Sequence, residues 1–332
     1  MNIIIKYLCF VLLFLVVKVH AQDPHFTQVN ASPMLVNPAY TGVFDNAQLR
    51  VMTIHRQQWS GMGNPFTTTS VGLDAKLFED VRYNQNPFNV GMNLLSDKTF
   101  NGAVKSNIIT ASTSYHVPLT KEGKQSIGIG LALGYATKRI DFSTLTSASQ
   151  FTSGGFDQSL SNGENFLDNI KPYFLISPGL MYTYNNREEG TFFDFGLAVY
   201  NANQPVLSSI YDKSDRIPRR ISAQASFQRY MSSTLLLNAE MQYQSQAGVD
   251  YLLSGVSFAR MLKEEVDASM VGLGIWYRTS DAIAPYIFAE FNRLRFGFTW
   301  DYQINDIRKD QYPANSIEFS LRWRITTHSL QP

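Results

Sequence analysis

The sequence predicts an all-β fold, a transmembrane antiparallel β-barrel of the bacterial outer-membrane type with about 14 strands. First, apolar and polar residues alternate with period two along segments of about 10–13 residues, the length that a tilted strand needs to cross a bilayer. Second, only 17% of the 332 residues are charged, whereas 44% are hydrophobic and 13% are aromatic. Third, no apolar run of about 18 residues follows Ala21, so no transmembrane helix is predicted. Because backbone polar groups must be paired in lipid, a sheet of such strands must close on itself.

Residues 1–21 are predicted to be a signal peptide. Lys6 precedes an unbroken apolar run at residues 7–17, and a small-x-small cleavage pattern ends at Ala21. The run is shorter than the about 20 residues of a membrane-spanning helix, which favours a cleaved leader over a retained anchor. Cleavage would remove Cys9 and two lysines. The 28 basic residues would fall to 26 against 27 acidic ones, a net charge of −1, and no disulfide could form.

The alternation is clearest in residues 294–304. One face carries Leu294, Phe296, Phe298, Trp300, Tyr302 and Ile304, and the other carries Arg295, Gly297, Thr299, Asp301 and Gln303. Segments 127–136, 193–200, 235–244 and 316–325 repeat the pattern. Strands of soluble sandwiches also alternate, but they are usually about 5–6 residues long. A dry sandwich core would not accept the unpaired charges of the polar faces, whereas a wet or ion-paired lumen would.

Fourteen strands are predicted, an even number, as single-chain bacterial barrels have. Their first residues lie near Ala47, Phe66, Phe88, Ala103, Gln125, Ile170, Thr191, Arg220, Ser233, Asp250, Val266, Ala282, Leu294 and Asn315. The barrel is therefore expected to occupy residues 47–327. Pro172 and Pro178 in the sixth strand and Pro285 in the twelfth each remove a ladder donor, which predicts bulges or strand ends at these positions.

The lengths of the connections predict the orientation. If the first strand runs outward, connections after odd-numbered strands face outside. The two longest gaps, 141–169 and 202–219, follow the fifth and seventh strands, whereas 118–124, 185–190 and 292–293 follow even strands and are short. Long outside loops with short periplasmic turns are typical of the outer membrane of Gram-negative bacteria. That membrane is the expected location.

No catalytic, cofactor or metal site is predicted. The histidines after the leader are His25, His55, His116 and His328, and none has the spacing of a metal-binding motif. Gly128-x-Gly130 is interpreted as small residues on the lumen face of a strand rather than a phosphate loop. Ser114 shares a strand face with His116, as in a membrane esterase, but no third member of a triad can be identified. The near-neutral charge argues against nucleic-acid binding.

Charged residues on the polar strand faces are predicted to line the lumen. They are Asp194, Glu240, Glu290, Asp301 and Glu318 among the acids, with Arg278, Arg295, Arg322 and Arg324. Similar numbers of both signs favour a paired, filled interior over a selective ion ring, with a solute pathway as the alternative.

Residues 22–46, before the first strand, form a separate N-terminal segment. Pro24, Pro33, Pro38 and Gly42 prevent it from being helix or strand throughout. It is expected either to lie in the periplasm or to fold into the lumen as a plug, and the sequence leaves both possibilities open.

Six motifs together resemble the PorP/SprF family of the type IX secretion system across essentially the whole mature chain. They are Gln22-Asp23-Pro24-x-Phe26-x-Gln28, Asn37-Pro38-Ala39-Tyr40-Thr41-Gly42, Arg56-x-x-Trp59-x-Gly61-x-Gly63-x-Pro65, Pro218-Arg219-Arg220, Gly274-x-Trp276-Tyr277-Arg278-x-x-Asp281-Ala282-x-x-Pro285 and Gly297-Phe298-Thr299-Trp300-Asp301-Tyr302. One departure is Trp300, where a serine-tyrosine type pairing is expected before the aspartate.

The resemblance implies an outer-membrane barrel without enzymatic activity or cofactor. Members of the family are linked to secretion or surface attachment of large adhesins, including gliding-motility adhesins, and some are linked to periplasmic components of the type IX machine. A large adhesin held through its C-terminal domain is the expected partner. The alternatives are a link to the periplasmic components, or a channel or transporter for small or hydrophobic solutes.

Two outward turns carry a hypothesis for partner binding. The first hairpin and the turn between the eleventh and twelfth strands could grip the C-terminal domain of the partner, with an aromatic anchor and an arginine for pairing. The residues are Arg56, Trp59, Pro65, Arg278, Asp281 and Pro285. The alternative is that they only brace the loops.

Overall fold

The computed structural model describes residues 23–59, 65–77, 88–141, 148–157, 159–160, 167–207, 216–262, 269–304 and 315–326. The strands are β1 (Leu49–Gln58), β2 (Phe66–Lys76), β3 (Phe88–Thr99), β4 (Val104–Pro118), β5 (Gln125–Asp141), β6 (Phe151–Thr152), β7 (Gly155–Phe156), β8 (Leu167–Asn186), β9 (Thr191–Tyr200), β10 (Arg220–Tyr230), β11 (Leu235–Gln246), β12 (Val249–Met261), β13 (Met270–Arg278), β14 (Ala282–Phe291), β15 (Leu294–Gln303) and β16 (Ser316–Ile325). Short 3-10 helices span Val29–Ala31, Pro33–Leu35, Pro38–Tyr40, Phe100–Gly102 and Ala148–Gln150.

Fourteen of these strands form one closed antiparallel barrel. Each pairs with the next barrel strand along the chain, and β1 pairs with β16 to close the sheet, with Leu49 opposite Ile325 and Gln58 opposite Ser316. The strands β6 and β7 form a small separate hairpin in the connection between β5 and β8. The predicted barrel of about 14 strands is therefore confirmed. Closure leaves no free sheet edge, as a sheet in lipid requires.

The described residues include no helix that is both long enough and apolar enough to cross a membrane.

Side chains alternate between an apolar outer surface and a polar interior. In β13, Val271, Leu273 and Ile275 point outward and are 40%, 67% and 50% exposed. Trp276 and Arg278 of the same strand point inward and are almost fully buried. An outer surface of aliphatic and aromatic side chains is stable against acyl chains but not against water, because exposing that area to water is unfavourable.

The prolines lie where the ladder is interrupted, which confirms the predicted bulges and strand ends. The register of β8 against β5 shifts beside Pro172. Pairing of β8 with β9 ends at Gly179, so Pro178 faces no ladder acceptor on that side. The pairing of β14 with β15 omits Pro285, between Ile283 and Tyr286. Each proline therefore removes a donor that the sheet does not use.

The two ends of the barrel differ, and we name them by their connections. The long-loop end carries the connections 142–166 and 201–219, and the short-turn end carries the turns 119–124, 187–190 and 292–293. At the short-turn end, Lys124 donates a hydrogen bond to Glu188 over 2.7 Å. This bond raises the pKa of Lys124 and lowers the pKa of Glu188.

Candidate functional site: a luminal segment and its charged anchors

Residues 23–48, which we call the luminal segment, run through the interior of the barrel. At the long-loop end, the backbone N–H of Asp23 donates to Oε1 of Gln246 over 2.8 Å. At the short-turn end, the N–H of Lys76 donates to the carbonyl of Gln48 over 2.9 Å. Between these points Asn37 and Ala39 have no exposed surface. The segment therefore connects the two ends of the barrel through its lumen.

The luminal segment has no strand pairing, so its polar groups are satisfied by turns and by the barrel. Two of its three 3-10 helices begin with prolines, Pro33 and Pro38, whose missing N–H would be unpaired at that position anyway. Asn37 caps the third helix, because its Oδ1 accepts from the N–H of Ala39 over 2.9 Å. The same side chain donates from Nδ2 to the carbonyls of Leu180 at 2.9 Å and Leu197 at 3.3 Å. Asn37 thus fixes the segment to β8 and β9.

Glycines on the lumen face make room for this approach. A β-carbon at Gly130 would lie less than 3.0 Å from the backbone of Pro38 and Ala39. A β-carbon at Gly91 would lie 2.7 Å from Sδ of Met34. These glycines have ordinary strand conformations, so their role is the close approach of another chain segment rather than backbone freedom. Gly128 and Gly130 line the lumen, as the sequence indicates.

Ser114 and His116 of β4 contact the luminal segment. Oγ of Ser114 donates to the carbonyl of Thr41 over 2.7 Å, and Nε2 of His116 lies 3.1 Å from the carbonyl of Ala39, to which it donates. Both side chains of the considered esterase pair therefore serve as anchors for backbone carbonyls. Within the part of the chain that the structure describes, no group of three His, Cys, Asp or Glu side chains could hold a metal ion.

Four buried charges near the long-loop end form what we call the seam cluster: Arg56 of β1, Arg278 of β13, Asp301 of β15 and Glu318 of β16. Asp301 lies 3.0 Å from Arg56 and 2.8 Å from Arg278, and Glu318 lies 2.8 Å from Arg56. All four side chains are at most 2% exposed. The cluster bridges the seam where β1 meets β16, so it joins the first and last strands of the chain.

The seam cluster also binds the start of the luminal segment. The backbone N–H groups of Thr27 and Gln28 donate to the two oxygens of Glu318 over 2.7 and 3.0 Å. Oγ1 of Thr27 donates to Asp301 over 3.0 Å and accepts from Arg278 over 3.0 Å. A buried ion pair is stable only when further hydrogen bonds satisfy its remaining groups, and the luminal segment supplies them here.

A second set of charges lies towards the short-turn end. Glu290 pairs with Arg295 at 2.5 Å and with Arg324. Arg322 donates to the carbonyl of Asn30 over 3.3 Å, and Glu240 accepts from Nδ2 of the same asparagine over 2.9 Å. The interior therefore mixes ion pairs with hydrogen bonds to the luminal segment.

Asp194 of β9 holds the end of the third 3-10 helix. Its two oxygens accept hydrogen bonds from the hydroxyl of Tyr40 and from Ser226 of β10. Asp194 completes the set of charged residues that the sequence assigns to the lumen. The charged groups of all of them lie inside the barrel. Their function remains a prediction.

The pair of Arg50 and Asp74 was missed by sequence reasoning. Nη2 of Arg50 lies 2.6 Å from Asp74, and both side chains are buried. Arg50 also donates to the carbonyl of Val43 over 3.0 Å, and Asp74 accepts from the N–H of Gly42 over 2.7 Å. The signal in the sequence was the period-two alternation of β1, because Arg50 lies an even number of residues from Arg56 and therefore on the same, lumen-facing side.

The structure distributes the six predicted partner-binding residues over three environments. Arg56 and Arg278 are buried in the seam cluster, and Asp281, whose side chain is 32% exposed, pairs with Arg278 at its edge. Trp59 is half-buried, and its ring centroid lies 4.8 Å from that of Phe66. Of the remaining two, Pro65 is half-buried near β2, and Pro285 is exposed on the outer face of β14. The six therefore share no single surface, and their role in partner binding stays a prediction.

A cavity of about 620 Å³ remains beside the luminal segment and reaches the short-turn end. Its lining includes Lys76, Lys124, Arg187 and Arg293, together with Asp45. The described part of this chamber is therefore polar and contains more basic than acidic side chains.

A closed barrel with an apolar outer surface and a hydrogen-bonded, charged interior is a membrane-spanning barrel of the bacterial outer-membrane type. The family model described as "Type IX secretion system membrane protein PorP/SprF" matches residues 18–323. The chain therefore belongs to the PorP/SprF family of type IX secretion system membrane proteins.

Solved structures of other barrels resemble this fold. The toluene transporter TodX of P. putida is 12% identical, with a TM-score of 0.45 over 89% of this chain and 94% of TodX. A FadL homologue of Pseudomonas aeruginosa is also 12% identical, with a TM-score of 0.47 over 88% of this chain and 93% of the homologue. No curated protein sequence matches the chain significantly.

Proposed function

We propose that this protein is a non-enzymatic outer-membrane barrel that supports secretion and cell-surface anchoring of a large adhesin through the adhesin's C-terminal domain, as part of the type IX system. Residues 1–21 would act as a cleaved signal peptide, residues 22–46 as a plug and residues 47–327 as the barrel. The leader lies outside the described residues. The observation that carries the proposal is the luminal segment, which occupies the barrel from end to end and leaves the end surfaces as the places where a partner can bind.

The luminal segment favours an anchoring barrel over a solute channel. A conduit needs a continuous water-filled path with binding weak enough for solutes to leave. Here the luminal segment is fixed at one end by the seam cluster and in the middle by Asn37, which has no exposed surface. Moving it would remove the hydrogen bonds that it supplies to Arg56 and Glu318, which is unfavourable for buried charges.

The orientation of the barrel can be tested by cysteine labelling, because the mature chain would contain no cysteine. Gly154→Cys lies in the β6–β7 hairpin at the long-loop end, and Glu122→Cys lies in the β4–β5 turn at the short-turn end. Both positions are exposed. We expect a membrane-impermeant maleimide added to intact cells to label position 154 and not position 122. The reverse labelling pattern would show that the long loops face the periplasm.

Trp59 is the most direct test of partner contact at the long-loop end. We expect Trp59→Ala to reduce surface retention of the adhesin by about tenfold or more, the loss typical of an aromatic anchor at an interface. Trp323→Ala is the matched control, because Trp323 is 48% exposed near the short-turn end of β16. Arg56→Ala is less informative, since it also breaks the buried seam cluster. Unchanged retention in Trp59→Ala, at normal barrel levels, would refute this contact.

The chamber at the short-turn end supports a second candidate function, a link to periplasmic type IX components. It offers about 620 Å³, with more basic than acidic side chains in its lining, on the side opposite the long loops. A pull-down of the tagged barrel in mild detergent separates the two candidates. Co-purification of a large adhesin supports the anchoring function, and co-purification of a periplasmic ring or peptidoglycan-binding protein supports the link.

A further inference from the structure

Three basic residues on the outer surface lie directly opposite each other on adjacent strands. Lys98 of β3 faces Lys105 of β4, and Lys105 faces Arg139 of β5. All three side chains are exposed and point away from the lumen. Opposite residues on neighbouring strands have β-carbons about 4.5–5.5 Å apart, so three cations are held in a row across the sheet. We call them the basic row.

The basic row lies just above the apolar belt of the barrel. Four residues nearer the centre, the same strands carry Leu94, Ile109 and Tyr135 opposite each other, and these are 44%, 46% and 42% exposed. A strand rises about 3.3 Å per residue, so the basic row is about 13 Å farther along the strands. Ser96 and Asn107 lie opposite each other between the apolar residues and the basic row. This order, from apolar to neutral polar to basic, matches the change from acyl chains to charged headgroups.

Within the described residues, the basic row is not paired with a carboxylate. None of its three side chains forms an ion pair or hydrogen bond there. Asp97 of β3 points to the lumen side, where it accepts from Thr68 over 2.6 Å. Asp141, which has a contact of its own, lines a cavity of about 270 Å³ together with Lys105 and Arg139. Like charges directly opposite each other destabilise a sheet, and an anion bound to the row would relieve this repulsion.

We propose that the basic row binds the phosphate group of lipid A in the outer leaflet. The acyl chains of the lipid would pack on Leu94, Ile109 and Tyr135, and its phosphate would accept hydrogen bonds from the basic row. The same phosphate chemistry occurs in phospholipid headgroups and in free phosphate. Lipid A is favoured because the row lies at the long-loop end, which faces outward in the orientation proposed above. This inference depends on that orientation but not on the identity of the secreted partner.

The test compares two variants of the full-length barrel purified in detergent. Lys98→Gln, Lys105→Gln and Arg139→Gln together neutralise the basic row. Lys121→Gln, Arg229→Gln and Arg260→Gln together remove the same charge from exposed positions towards the short-turn end. Each protein is titrated with lipid A, dephosphorylated lipid A, phosphatidylglycerol and inorganic phosphate, and bound lipid is counted by native mass spectrometry. We expect the first variant to bind lipid A about 100-fold more weakly, since a basic residue near an anionic surface contributes roughly fivefold. We expect the second to bind normally.

Several outcomes would overturn the assignment. Equal affinity of the two variants for lipid A would do so, as would undiminished binding of dephosphorylated lipid A. Equal binding of phosphatidylglycerol or inorganic phosphate would leave a phosphate site that is not specific for lipid A and would contradict the chosen ligand. Lys105→Gln provides an independent check, because Lys105 has a like charge on both sides. Without lipid it should unfold at a higher urea concentration than the wild type, and with lipid A it should lose this advantage.

Discussion

Asp301→Asn is expected to lower the free energy of unfolding by about 3 kcal/mol, the lower end of the range for breaking a buried ion pair. Among the described residues, Asp301 is the carboxylate that pairs with both Arg56 and Arg278. Neutralising it leaves two buried guanidinium groups with a single charged partner each, Glu318 and Asp281 respectively. The change is measured as the shift of the urea midpoint of the barrel in detergent or lipid vesicles.

Asp281→Asn is the matched control for this prediction. Asp281 also pairs with Arg278, but its side chain is 32% exposed, whereas that of Asp301 has no exposed surface. Water can solvate the site after the substitution, so the free energy of unfolding should fall by no more than about 1 kcal/mol. Equal losses for the two variants would contradict the view that burial in the seam cluster determines the effect.

Gly130→Ala is expected to displace the luminal segment and to open the barrel to ions. The new β-carbon would lie less than 3.0 Å from the backbone of Pro38 and Ala39, and backbone cannot move aside as a flexible side chain can. Such overpacking costs about 1–3 kcal/mol, which lowers the equilibrium ratio of plugged to unplugged barrels by about 5- to 150-fold. Single-channel recording in planar bilayers should detect openings in this variant and none, or far fewer, in the wild type.

Gly134→Ala is the control on the same strand and the same face. Its β-carbon would lie 3.2 Å from Cβ of Leu175 and 3.5 Å from Oγ1 of Thr110, which are side-chain atoms outside the luminal segment. It should therefore leave the conductance at the wild-type level. Openings of equal frequency in both variants, or in the wild type itself, would favour the solute-channel alternative. Proteolysis of reconstituted Gly130→Ala, with new cleavage within residues 23–48, would independently report the release of the segment.

Much of the barrel follows from local pattern. Period-two alternation depends only on the pleat of a strand, so the residues that face lipid and the residues that face the lumen can be identified without knowing the partners of each strand. Leu273 and Ile275 are outward for this reason, and Asp301 and Glu318 are inward. Pro172, Pro178 and Pro285 identify ladder interruptions from the missing donor alone. The number of strands and the ends at which the connections lie follow from the same local signals.

The pairing of the charges inside the barrel does not follow from local pattern. Arg56 meets Asp301, 245 residues away, because β1 closes on β16 and the stagger of the strands brings β15 and β13 to the same depth. The sequence predicted Arg56 as a residue of the rim and Arg278 as a residue of the rim and the lumen, with no signal that they share one carboxylate. The hypothesis of a single gripping surface grouped them with Pro285, which the barrel turns to the opposite face.

The sequence alone determined that this protein is a barrel and which side chains point into it, because alternation and backbone pairing in lipid are local requirements. Only the tertiary structure decided what fills the barrel. Residues 22–46 have no periodicity, so their sequence left both the periplasm and the lumen open. The position of the described residues 23–46 depends on the lumen glycines of β3 and β5 and on the buried charges of four other strands, which come together only when the sheet closes.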